Sequence, residues 1–131
     1  MARAFGAAHL ATALLVGWGV FRCLPARWLP VDAVAGVITL LDAVAGVGLA
    51  GQLAWGRTVA RAASIVSLAA GLVLVTLLAV TASWLGGVYG PVGGGGAAIV
   101  VLVAALAAPY LIVLPCAELA WLGLRERARG R

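Results

Sequence analysis

The stretch Ala62–Tyr89, AASIVSLAAGLVLVTLLAVTASWLGGVY, runs for 28 residues without an acidic residue or an arginine. A helix rises about 1.5 Å per residue, so about 20 apolar residues cross the hydrocarbon layer of a bilayer. This run is long enough. Three more stretches, Ala4–Phe21, Ala43–Gly56 and Pro91–Ala117, carry no such charge either. With 65% apolar residues and a mean hydropathy of +1.16, the chain has too few polar groups to cover a surface facing water. The solvent of this chain is lipid, where a backbone must satisfy its own N–H and C=O groups within helices.

The predicted fold is therefore all-α, an integral-membrane four-helix transmembrane bundle with short loops. One domain covers residues 1–131, with helices over about 4–24, 33–55, 59–85 and 97–124. Four spans and their turns consume nearly all 131 residues and leave no room for a soluble catalytic or nucleotide-binding domain. Pro25 ends the first helix, and Pro25–Pro30 reads as a turn. Asp32 is placed to cap the second helix through free backbone N–H groups. Gly56-Arg57-Thr58 reads as a tight turn. Gly86–Gly96 reads as a glycine-rich, flexible outer connection, lacking the lysine and hydroxyl that define a phosphate loop. The first apolar run is too long for a signal-peptide core and has no small-residue cleavage site, so it is expected to stay as a helix.

The net charge of +5 comes from nine arginines against four carboxylates, and there is no lysine. The arginines sit at the ends of apolar runs, which points to headgroup anchoring and away from nucleic acid. Arg3, Arg57, Arg61, Arg125, Arg127, Arg129 and Arg131 fall on one side, and Arg22 and Arg27 on the other. The positive-inside rule then predicts a multi-pass protein of a bacterial-type plasma (inner) membrane with both termini cytoplasmic. Cys23 and Cys116 fall on opposite sides in this topology, far beyond disulfide reach.

Asp42 is the first candidate for chemistry. Counted along the predicted second helix, it lies close to mid-membrane, where a carboxylate costs roughly 2.5–3.5 kcal/mol on insertion scales. Its neighbours at helical spacing include Thr39, Gly46 and Ala50, small groups against which another backbone packs closely. Thr76, Tyr110 and the carbonyl of Ala105, freed by Pro109, are predicted at a similar depth. Together they would make an intramembrane polar site of Asp42, Thr39, Thr76 and Tyr110. A separate inner-leaflet pair is formed by His9 and Glu118, each about five residues from the cytoplasmic end of its predicted helix and near enough to reach water. Gly46, Ala50 and Gly71 read as helix-packing positions.

One histidine, with no cysteine near it in this topology, offers no metal constellation. No cofactor site and no serine or cysteine triad is predicted either, so an enzyme is not expected. Two functions fit these residues. The first is a non-catalytic, self-assembling or accessory subunit of a membrane complex, with the bilayer and other copies or subunits as partners. The alternative is a minimal oligomeric ion channel or proton-coupled transporter using Asp42.

Overall fold

The computed structural model describes residues 1–23 and 28–129, except for the side chains of residues 91, 92, 126, 128 and 129. Four helices make an all-α bundle: α1 (Ala2–Cys23), α2 (Leu29–Ala50), α3 (Gly56–Gly90) and α4 (Gly93–Arg125). Each is long and apolar enough to cross a membrane, which makes this a multi-pass membrane protein. Four crossings return the chain to the side from which it started.

Glycine sets how closely the helices approach. A Cβ on Gly6 would lie 2.9 Å from the Gly46 carbonyl and 2.8 Å from the Ala50 nitrogen, so α1 and α2 meet backbone to backbone. A Cβ on Gly56 would lie 2.5 Å from the carbonyl carbon of Gly48, which brings the start of α3 onto the end of α2. At Gly71 it would meet the Leu111 carbonyl at 2.7 Å and so separate α3 from α4. Gly46, Ala50 and Gly71 thus pack helices of the same chain together, as small residues do in lipid. Interleaved with the crossings of α1, α2 and α3 lies a small core of Ala45, Leu49, Ala60 and Ala63, flanked by Phe5, Leu41 and Val59.

Several boundaries depart from the sequence reading, each for a local reason. Helix α2 begins at Leu29, four residues earlier than expected. Pro30 in its first turn needs no N–H partner and has its φ preset for a helix. Asp32 therefore sits within the first turn instead of ahead of it. The helix also stops early, at Ala50. Gln52 takes a positive φ of 54°, and the Leu53 N–H turns back to donate to the Gly48 carbonyl at 2.9 Å. The tight turn is thus Gly51–Trp55, and α3 starts at Gly56.

The glycine-rich connection is corrected as well. Helix α3 continues to Gly90, where φ 55° and ψ −134° reverse the chain in a conformation open to glycine alone. The helix resumes at Gly93, where any side chain would overlap the Leu85 carbonyl. Gly93–Gly96 is accordingly helical, and the glycines make a tight hairpin where a flexible linker was expected. In α4 the prolines widen the helix without breaking it: Pro109–Val113 is a π-helical turn, closed by the Leu114 N–H donating to the Pro109 carbonyl. The expected turn at Pro25, Ala26 and Arg27 lies outside the described residues.

Helices α3 and α4, with 35 and 33 residues, outrun the 22-residue α1 and α2. The excess is about three turns, or about 17 Å. The far hairpin therefore projects beyond the ends of α1 and α2, and the four-helix packing is confined to the half nearer the termini.

Candidate functional site: a buried His–Asp–Glu cluster

The antiparallel register of α1 and α2 is marked by Gly6 against Gly46 and Gly17 against Thr39. Between these two contacts, the same register sets His9 opposite Asp42. His9 Nδ1 lies 2.7 Å from Asp42 Oδ1. The other ring nitrogen, Nε2, lies 2.5 Å from Glu118 Oε2 on α4. Ser64 on α3 donates its hydroxyl to that same Glu118 oxygen at 2.6 Å. Each of the four helices supplies one member. All are buried: His9 is 3% exposed, Asp42 1%, and Glu118 and Ser64 0%.

Sequence reading kept Asp42 apart from the His9–Glu118 pair, and the structure joins them. The physical reason is the start of α2. Moving both of its ends toward the N-terminus by four to five residues shifts Asp42 about 7 Å from the predicted depth toward the end bearing the termini. Nor does Glu118 reach water. Phe5 lies one turn from His9 and Trp121 one turn from Glu118, and their rings pair at 5.2 Å beside the cluster. Arg125 stacks over Trp121 at 4.8 Å, leaving Glu118 to His9 and Ser64.

The remaining predicted polar residues divide. Thr39 is half-buried one turn from Asp42, and Thr12 and Ser67 are buried one turn from His9 and Ser64. Thr76 is exposed and Tyr110 half-buried. Neither Thr76 nor Tyr110 joins the hydrogen bonds of the cluster, which run through His9, Asp42, Glu118 and Ser64. The member missed by sequence reading is Ser64. Its signal was its i,i+3 spacing to Ser67 on a helix whose other residues at that depth are apolar.

Proton counting defines what the cluster can do. With neutral imidazole and two carboxylates the group would bear a charge of −2 and one ring proton. Two hydrogen bonds on one ring need a proton in each, whichever atom carries it. The cluster as bonded therefore holds two protons and a net charge of −1. Asp42 Oδ2 and Glu118 Oε1 are buried with no hydrogen-bond partner among the described residues, as are Thr39 Oγ1 and Ser67 Oγ. A third proton on either free carboxylate oxygen makes the group neutral. No family model matches this chain, and no curated protein or solved structure matches it. Among the described residues, no group of three or more His, Cys, Asp and Glu side chains is arranged to hold a metal ion.

Proposed function

We propose that this protein is a proton-coupled channel or transporter whose proton-exchange centre is His9, Asp42 and Glu118. One observation carries the reading: a single imidazole hydrogen-bonded on both sides to carboxylates inside a membrane bundle. An ionisable group in the membrane is costly and marks a pathway or relay by default. Three at one point exceed what packing needs, because glycine contacts already bring the helices together. Stepping between −1 and 0, the cluster takes up or releases one proton per cycle at little cost in covalent geometry. Ser64 keeps the Glu118 carboxylate oriented toward His9 in both states.

The test is infrared difference spectroscopy on protein in bilayers cycled between two pH values. A carboxylic-acid C=O band is expected, diminished in both Asp42→Asn and Glu118→Gln. A spectrum without any band sensitive to these two substitutions overturns the assignment.

A second reading, a self-assembling or accessory subunit, is supported by the far α3–α4 hairpin. It leaves apolar side chains such as Leu77, Val80, Ile99 and Leu102 exposed beyond the reach of α1 and α2.

The proposed location is a bacterial-type inner membrane with both termini cytoplasmic, supported by the arginine balance of seven against two. Both native cysteines are free and exposed, so each is first replaced by alanine. Gly94→Cys in that background should then react with an impermeant thiol reagent added outside intact cells. Labelling only after lysis reverses the orientation.

A further inference from the structure

Two buried hydroxyls of the bundle, Thr39 Oγ1 on α2 and Ser67 Oγ on α3, have no hydrogen-bond partner among the described residues. A hydroxyl on a helix can close on the carbonyl four residues back. Thr81 and Ser83, both exposed, do so, donating to the Leu77 carbonyl at 2.8 Å and the Ala79 carbonyl at 3.0 Å. Thr39 forgoes that bond where no water-exposed surface compensates, and a buried polar group left unpaired is costly.

The surroundings of Thr39 give the free hydroxyl a use. It lies three residues before Asp42, one turn along the same face of α2. Both side chains meet α1: a Cβ on Gly17 would stand 3.6 Å from Thr39 Oγ1, and His9 Nδ1 lies 2.7 Å from Asp42 Oδ1. Helical side chains lean toward the N-terminus of their own helix, which tips the Asp42 carboxyl toward Thr39. The second oxygen of that carboxyl, Oδ2, is buried and unpartnered. Threonine has two accessible χ1 wells on a helix. Gly17 leaves room to use them, because a Cβ there would stand 3.2 Å from Thr39 Cγ2. Glu118 is placed differently. Its Oε2 already shares hydrogen bonds with both His9 and Ser64, and such bonds are strongest to an ionised carboxylate.

We propose that the proton exchanged by the cluster is carried on Asp42 Oδ2 and that Thr39 is its positioning residue, turning Oγ1 to accept the new O–H. This rests on the proton-exchange reading and names the atom that carries the proton. Uptake is one balanced step: a hydronium gives its proton to Oδ2 and leaves as water, and the cluster passes from −1 to 0. Thr39 then accepts from Asp42 and directs its own hydroxyl hydrogen to the Ala35 carbonyl, four residues back. After release, the same hydroxyl can donate to the carboxylate. A hydroxyl serves both states because it donates and accepts.

Infrared difference spectra of the full chain in bilayers, cycled between two pH values, test the assignment. The carboxylic-acid C=O band should move to lower wavenumber when aspartate is labelled with carboxyl-¹³C, and stay in place when glutamate is so labelled. Asp32 and Asp42 are the two aspartates of the chain, and Asp32→Asn should leave the band unchanged. Thr39→Val keeps the shape of the side chain and removes the acceptor, so the band should move to higher wavenumber, as for an acid that donates no hydrogen bond. Thr39→Ser should restore its position, and Ser67→Ala should not move it. A purely packing role for Thr39 predicts no displacement in Thr39→Val, and that result overturns the proposal. A band displaced by labelled glutamate also overturns it and puts the proton on Glu118. In that case a band still diminished by Asp42→Asn and Glu118→Gln leaves the proton-exchange centre standing, whereas a band insensitive to both substitutions removes the centre itself.

Discussion

Replacing His9 alone by leucine is expected to prevent folded protein from accumulating. Asp42 would lose its only hydrogen bond within the cluster, and Glu118 would keep only that from Ser64. Two carboxylates would then face each other across an apolar side chain, at positions 0–1% exposed. Breaking a buried ionic pair by removing one partner costs about 3–5 kcal/mol. That is a large share of the roughly 5–15 kcal/mol that holds a domain of this size. The combined variant His9→Leu/Asp42→Leu/Glu118→Leu should behave in the opposite way and fold. Exchanging a whole buried ionic group for apolar side chains of similar volume is often neutral or stabilising, and Ser64 can turn its hydroxyl to a carbonyl of its own helix. The yield of folded protein in detergent measures the first, and thermal unfolding in detergent the second. The two variants are strongly non-additive because their sites share one network. A triple variant as unstable as the single one would mean that the cluster is the clasp of the bundle.

Much of the fold was legible because lipid imposes a simple rule. Long charge-free runs have to be helices, and arginines and prolines mark where those runs end. Misplaced boundaries followed from local chemistry that composition does not carry. Pro30 reads as the end of a turn, yet it sits in the first turn of α2, where a missing N–H is no loss. Gly90 and Gly93 read as flexible by composition, yet one supplies a reversal and the other a close approach. Gln52, a residue with no turn signature, takes the positive φ that ends α2.

The candidate site was half legible. Asp42, His9 and Glu118 stood out singly as ionisable groups in apolar runs. That they form one site depends on depth, and depth is counted from helix ends. An error of four to five residues in α2 amounts to about 7 Å, more than the length of a hydrogen bond. It placed Asp42 with Thr76 and Tyr110 instead of with His9. The sequence Asp32-Ala-Val-Ala-Gly-Val37 recurs as Asp42-Ala-Val-Ala-Gly-Val47, and the two copies illustrate the same dependence on geometry. Ten residues fall about 80° short of a whole number of turns, so Asp42 is buried in the bundle while Asp32 lies half-buried in the first turn of α2.

The central claim is that protons cross at this cluster, and proton flux into vesicles tests it most directly. Purified protein would be reconstituted into liposomes with an imposed pH gradient and a potassium shunt, and the internal pH followed with a trapped dye. Asp42→Asn keeps the size of the side chain and can still hydrogen-bond His9, but it cannot gain or lose a proton. It should therefore assemble normally, elute as the wild type does and leave flux at the level of empty vesicles, while the wild type dissipates the gradient well above that level. A wild type no faster than empty vesicles, or an Asp42→Asn variant as fast as the wild type, would contradict the account.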